Sequence, residues 1–521
     1  MKACIVSLGA AAAASSFALV SATSNYGGMV QLDVERVKRS EAGGLVRRDV
    51  VPVALDNYQD VTYIVEIGLG TPPQTLHVLL DTGSSDLWVQ ASTNPFCTAS
   101  PGNCQESGTF DAGKSNTFVE LQSQSFDISY LDTAGASGRY ATDTLEIGNA
   151  TLGNFTFGYA ENSNSSLSVL GISFAGAEST NQKYQNLPYR LKQDGIIDLV
   201  SYSLWLNDRE ANTGSIIFGG IDTGKFTGEL STIPMCPVAG VYTSLNVTLT
   251  GITVSSSSNS NNKTIVYGTS DALVTGGSTI YTVLDSGSSF SIFPPQILAG
   301  IVEGLGLSDS AQYLTQNALY QVDCSFMTSD ALVIFEFGGK ASVAITMDQL
   351  IQVLATNSSG NNVCGIALTA KQSLDSDSES YIVGDSILRS AYVVYDLENY
   401  MVGLAQASFN SSVTNILSLS SSGIPDSLNG TGPGNSDDLS STSSVPTSSS
   451  LPTSSSLPTS SSLPTSSSLP TSSSLPKSSS GASSHVPPSA LLVVIIFALP
   501  FLSSILSNRP YSVTSFFSMS S

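Results

Sequence analysis

Two stretches of the chain say nearly the same thing. LLDTGSSDLWV opens at Leu79 and TVLDSGSSFSIF at Thr282. In each, an apolar run ends in Asp and is followed by a hydroxyl residue, Gly and Ser. Asp81 and Asp285 close the strand-like runs TLHVLLD and TIYTVLD. The Gly after each permits a tight turn beside the carboxylate. Hydroxyls and freed backbone N–H groups can then fix the carboxylate's orientation. Two such loops facing each other would hold two carboxylates close together. Like charges at that distance cannot both ionise, so one proton is shared and one apparent pKa rises. An ionised carboxylate can take a proton from a trapped water while its partner donates to a carbonyl oxygen. Such a pair is suited to amide hydrolysis in acid without a metal or a covalent intermediate.

Other chemistries find few residues. The chain has two histidines, His77 and His485. His77 sits in the strand before Asp81 and reads as structural, so a Ser-His-Asp or Cys-His site has no second candidate in the body. No His or Cys cluster has zinc-ligand spacing. Neither a metal nor a cofactor is expected. The 19 basic against 41 acidic residues give a formal charge of −22. That surface repels nucleic acid and anionic membranes and suits work in acid.

With 521 residues the chain can bury a large core, most simply in two lobes. From about residue 50 to 408 it is rich in short β-branched or aromatic runs, such as YIVEIGLG, FDISYL, SIIFGGI and AYVVYDL, bounded by turn residues. The one fair helix candidate is PQILAGIVEG, Pro295 to Gly304. The body is predicted mostly β.

Its ends are different material. Residues 1–22 read as a secretory signal peptide. The dibasic pairs Lys38-Arg39 and Arg47-Arg48 mark a propeptide at 23–48, with the mature chain starting near Asp49. Eight Asn-x-Ser/Thr sequons (Asn149, Asn154, Asn164, Asn246, Asn262, Asn357, Asn410, Asn429) fit an exported, glycosylated surface. Cys97 and Cys104 are close enough to clip a short loop, Cys324 and Cys364 to close a larger one, and Cys236 is left as a free, buried thiol. Residues 411–480 turn to Ser, Thr and Pro, with LPTSSS repeating from Leu451, and read as an extended stalk. Residues 481–521 hold a small-residue site, a polar spacer and the apolar run ALLVVIIFALPFLSSIL. They resemble a GPI-attachment signal. Fifteen further residues after that run leave a short single-span anchor open.

The phrases LLDTGSSDLWV and VLDSGSS resemble the two active-site loops of the pepsin-like aspartic endopeptidases, and the whole chain the fungal, wall-anchored candidapepsin and yapsin type. The resemblance covers about residues 60 to 407. It implies a bilobal β fold, with lobes at about 49–225 and 226–410 and a cleft between them. It assigns Asp81 and Asp285 as the dyad, with Gly83 and Gly287 turning the two loops. Thr82 and Ser286 would brace the loops, and Ser84 and Ser288 would bond the outer carboxylate oxygens. Each family lobe also has an apolar-apolar-Gly motif behind its Asp. Here these are VLGIS, with Gly171 90 residues after Asp81, and IVGDS, with Gly384 99 residues after Asp285. FDISYLDTAGASGRYATDTLEIG fits the family's hairpin flap, with Tyr130 as the flap tyrosine and Trp88 supporting it or simply packing. Leu131 departs from the Gly usual after that Tyr. Asp132 either attracts a basic substrate residue or is a solvated turn Asp. A third triplet, Asp222-Thr223-Gly224, follows IIFGGI, has Lys225 where the others have Ser, and is expected not to be catalytic.

Implied partners are polypeptide substrates, the chain's own propeptide in the cleft, and a membrane or cell wall through a lipid anchor. Nucleic acid is excluded and a monomer expected. A catalytically silent binding protein or a structural wall mannoprotein are the other classes to weigh.

Overall fold

The computed structural model describes residues 28–38 and 61–434, apart from 100–102, 106, 131–132, 212, 239, 257–258, 266–267, 270–271, 276–277 and 372–379. Expectations for the signal peptide, the LPTSSS repeats and the apolar tail lie outside the described residues. So do those for Leu131 and Asp132.

Twelve strands open the described chain: β1 Val30–Lys38, β2 Val61–Leu69, β3 Gln74–Asp81, β4 Leu87–Gln90, β5 Val119–Ser129, β6 Gly135–Ile147, β7 Ala150–Ser163, β8 Ser168–Gly171, β9 Ser201–Trp205, β10 Thr213–Phe218, β11 Gly220–Asp222 and β12 Phe226–Pro234. All but β11 join Ala391–Asp396 and Met401–Ala407 in one 13-stranded sheet. Its order is β12, 401–407, 391–396, β9, β10, β1, β2, β3, β8, β4, β7, β6, β5. An eight-stranded sheet in the second half includes Asn246–Ser256, Tyr281–Leu284, Tyr381–Val383 and Ser291–Phe293. The fold is mostly β, as expected, and the helix Pro295–Gly304 is where the sequence put it, with Ile297, Leu298, Ile301 and Val302 buried.

One local arrangement occurs twice. β3 runs parallel to β8, with Asp81 opposite Gly171. Tyr281–Leu284, the strand leading to Asp285, runs parallel to Tyr381–Val383, just before Gly384. A side chain at either Gly would hit the neighbouring active loop: a Cβ on Gly171 would lie 2.6 Å from Ser85 N, and one on Gly384 2.3 Å from Ser288 O. These glycines let each Asp loop sit directly on the backbone behind it.

Three expectations about segments change. Residues 30–38, inside the expected propeptide, form β1, which lies between β10 and β2. Val30, Leu32 and Val34 point into the core. None of the described residues of this segment lines the cleft, so residues 30–38 act as a structural strand and do not fill the site. The sheet also crosses the expected lobe boundary, because β12 and 391–407 complete the layer that carries β1 to β10. The described body runs to 434, beyond the expected end at 410. Ile416–Ser418 pairs with β11, Asn429 bridges Glu229, and Leu419 is buried. Apolar residues spaced along an otherwise polar stretch tie it down, which average composition conceals.

Both expected disulfides, Cys97–Cys104 and Cys324–Cys364, are formed. Cys236 is free but only half-buried, its sulfur 3.2 Å from Thr248 Oγ1. Among the sequons, Asn149, Asn154, Asn164, Asn410 and Asn429 are exposed and Asn357 is half-buried. The side chain of Asn262 lies outside the described residues. Asn246 is the exception: it is fully buried and donates to Ser244 Oγ, so a folded glycan site there is ruled out on space.

Candidate active site

β3 and Tyr281–Leu284 deliver Asp81 and Asp285 to the floor of one cavity of about 750 Å³. The two loops are near-copies. Gly83 N donates to Asp81 Oδ1 at 2.7 Å, and Gly287 N to Asp285 Oδ1 at 2.8 Å. Ser84 Oγ donates to Asp81 Oδ2, and Ser288 Oγ to Asp285 Oδ2. Each carboxylate is therefore aimed by one backbone N–H and one hydroxyl.

Behind them, Thr82 and Ser286 interlock. Thr82 Oγ1 donates to Leu284 O at 2.8 Å and accepts Ser286 N at 2.9 Å. Ser286 Oγ donates to Leu80 O at 2.9 Å and accepts Thr82 N at 3.2 Å. Both side chains are buried, so these four bonds hold the loops in register from within the core.

The two carboxyl groups face each other across the loops, each close against the glycine of the opposite one: a Cβ on Gly83 would stand 2.5 Å from Asp285 Oδ1 and one on Gly287 2.5 Å from Asp81 Oδ1. Burial first, then the charge of Asp285, holds the Asp81 carboxyl well above the usual carboxylate range, against the pull of Ser84 and Gly83. The proton belongs to the pair. Such a site can present one acid and one base to the same small molecule.

The roof is the hairpin β5–β6. Tyr130 lies in its turn, and its hydroxyl accepts Trp88 Nε1 at 2.8 Å. Trp88 is fully buried in a small cluster with Leu79, Phe126 and Val169, so packing and support of Tyr130 are both present. The cavity wall beside the dyad is apolar, with Leu79, Ile128, Leu167 and Val169 on one side and Phe290 and Ile292 on the other. Lys371 is the one cation in the described lining.

Asp222 is elsewhere. Its Oδ1 accepts Gly224 N at 2.9 Å, the same local turn as in the dyad loops, but also Asn415 N at 2.6 Å from the C-terminal segment. Lys225 donates to Ser411 O and lies over the Trp205 ring. The third triplet is a socket for the tail.

The sequence reading passed over two residues. Asp86, inside LLDTGSSDLWV itself, is buried and accepts hydrogen bonds from Tyr140, Tyr184 and Ser179 N. Glu178 is buried beside it, and burial pushes its carboxyl up to about 8. Asp86 had a signal, a charge between a buried turn and a buried Trp. Glu178 had none, because its burial depends on a tertiary fold-back.

Compared with known proteins, the family model for eukaryotic aspartyl proteases matches residues 62–407. The chain belongs to the eukaryotic aspartyl protease family. It is 37% identical over 408 residues to a probable aspartic-type endopeptidase, opsB, of Aspergillus oryzae, covering 75% of this chain and 78% of that one. It is 34% identical over 413 residues to aspartic proteinase yapsin-3 of Saccharomyces cerevisiae, covering 75% of each. The fold also matches the crystal structure of an aspartic proteinase from Irpex lacteus, with a TM-score of 0.53 and 18% identity, over 74% of this chain and 99% of that one. This aspartyl protease is an aspartic-type endopeptidase acting on polypeptides.

Proposed function

We propose that the chain is a secreted, surface-anchored, monomeric endopeptidase that cuts peptide bonds in acid with a water activated between Asp81 and Asp285. The observation that carries this reading is the pair of facing carboxyl groups, each oriented by its own Gly N–H and Ser hydroxyl and set against the glycine of the opposite loop, at the floor of a cleft. The ionised carboxylate takes a proton from the water. The water oxygen attacks the peptide carbonyl carbon while the other carboxyl protonates the carbonyl oxygen. Collapse of the tetrahedral intermediate passes a proton to the leaving amine and returns the pair to its single-proton state.

The substrate lies extended between the two halves, held partly by backbone hydrogen bonds, with Tyr130 closing over it and excluding water. The apolar wall of Leu79, Ile128, Leu167 and Val169 favours an apolar side chain next to the cut bond. A basic preference would have to come from Asp132. Cleavage after Arg48 with residues 30–38 kept in the sheet as β1, glycosylation at exposed sequons such as Asn149 and Asn154, and anchoring through residues 481–521 complete the reading. The silent binding protein and the wall mannoprotein are disfavoured because neither needs both Asp loops intact.

The test is cleavage of a peptide library by the chain processed at Arg48, beside its Asp81→Asn and Asp285→Asn variants. Cleavage in acid that a statine-type inhibitor blocks and both variants lose supports the reading. Undiminished cleavage in either folded variant refutes it.

A further inference from the structure

Asn164 follows the last residue of β7 and stands beside the turn of the hairpin that roofs the dyad. Its carboxamide meets that turn on both of its polar atoms. Oδ1 accepts Gly135 N at 2.7 Å, and Nδ2 donates to Thr133 O at 2.9 Å. Its backbone N donates to Gly135 O at 3.2 Å. The turn so held is the one that carries Tyr130: Tyr130 N donates to Ala134 O and Thr133 N to Tyr130 O. Thr133 has φ 67°, a left-handed conformation that a β-branched residue adopts only when its surroundings impose it. Ala134 and Ser165, the neighbours of the two bonded segments, both line the cleft.

Asn164 is also the acceptor of the sequon Asn164-Ser165-Ser166, and its side chain is exposed. An Asn amide has two donor hydrogens. Thr133 O and Gly135 N flank Ala134 on one backbone edge, so the carboxamide meets them edge-on and uses the N–H on the same side as Oδ1. In a trans N-glycosyl amide the sugar occupies that side, and the remaining hydrogen points the other way.

We propose that Asn164 is a positioning residue that clasps the hairpin over the dyad, and that the clasp and an N-glycan at Asn164 exclude each other. Glycosylation would come from an oligosaccharyl-diphospholipid donor. An Nδ2–H bond breaks, an Nδ2–C1 bond forms, the diphospholipid leaves and the proton goes to solvent. The glycosylated chain loses its bond to Thr133 O and holds substrate less tightly. The clasp rests on the endopeptidase reading, since it acts through the hairpin that covers substrate.

The test uses the full chain made in a glycosylating secretory host and processed at Arg48. Ser166→Ala, Asn164→Asp and Asn164→Gln all abolish the sequon, but only Ser166→Ala keeps the carboxamide where it is. Losing two hydrogen bonds to the turn should raise the KM of Asn164→Gln about tenfold over Ser166→Ala, with kcat within about twofold. Asn164→Asp keeps the acceptor for Gly135 N and should fall between. Thermal midpoints of Asn164→Asp and Asn164→Gln should agree, because the bonds they lose are exposed. Peptide mapping of wild-type chains run over an immobilised statine peptide should find Asn164 glycan depleted in the late-eluting chains and enriched in the early ones. Equal KM values for Ser166→Ala and Asn164→Gln would overturn the clasp. Equal glycan occupancy of Asn164 in early- and late-eluting chains would overturn the exclusion. If wild-type and Ser166→Ala chains cut nothing, the endopeptidase reading fails instead.

Discussion

Gly83 faces Asp285 across the join between the two halves so closely that a Cβ on it would stand 2.5 Å from Asp285 Oδ1. Gly287 faces Asp81 in the same way, also at 2.5 Å. Each loop therefore supplies one carboxylate and a gap for the other. Gly83→Ala or Gly287→Ala should push the opposing carboxyl aside by a fraction of an ångström or more. Displacement on that scale costs about 100-fold in kcat. Steady-state kinetics beside an unchanged circular dichroism spectrum would check it.

The interlock of Thr82 and Ser286 is a stability device as well as an alignment device. Thr82→Val keeps the shape and strands Ser286 N and Leu284 O in a buried place. Each stranded partner costs about 1–3 kcal/mol. Urea unfolding should show that loss. A variant as stable as wild type would mean that water reaches this interlock.

Glu178 gives the pH dependence of stability a definite sign. Burial, then the charge of Asp86, raises its carboxyl from the ordinary 4.5 to about 8, opposed by the N–H of Tyr184 and by Lys183. Tyr140, Tyr184 and Tyr189 also feel these charges. The folded-state pKa lies above the unfolded one, so the neutral acid is the form the fold prefers. Its contribution is complete below about pH 4.5 and is lost as the pH rises through about 8. Glu178→Gln should remove this loss. Melting temperatures of wild type and variant should diverge progressively from pH 5 to 8, with the variant the more stable at the upper end.

The C-terminal segment up to 434 is part of the folded body. Leu419 is 3% exposed and packs with Leu199, Ile221 and Tyr392. A chain ended at 434 should melt like the full chain. One ended at 410, or carrying Leu419→Ala, should lose about 2–4 kcal/mol. Chemical denaturation of the three would show it.

How much of this was legible depended on how local each signal was. The dyad loops could be read because turn, hydroxyls and carboxylate all lie within four consecutive residues, and the helix Pro295–Gly304 because its apolar spacing and initial Pro are adjacent. Tyr130 was legible through the hairpin pattern around it. β1 was not, because a strand between two removal signals reads as a removable segment whatever it pairs with. Residues 411–434 were hidden by composition, although Ile416, Leu419 and Leu428 provide the apolar anchors. Asn164 read only as a glycan acceptor. Its bonds to Thr133 and Gly135 depend on where a hairpin about thirty residues earlier comes to rest, and no local pattern encodes that.

The central claim is that Asp81 and Asp285 hold one proton between them and work as acid and base together. The pH profile of kcat/KM for a peptide substrate tests it most directly. A bell is predicted, rising in acid as the first carboxyl ionises and falling as the shared proton is lost, and it should be absent in Asp81→Asn and Asp285→Asn. Activity that climbs steadily through neutral pH, or that survives in either variant, would contradict it.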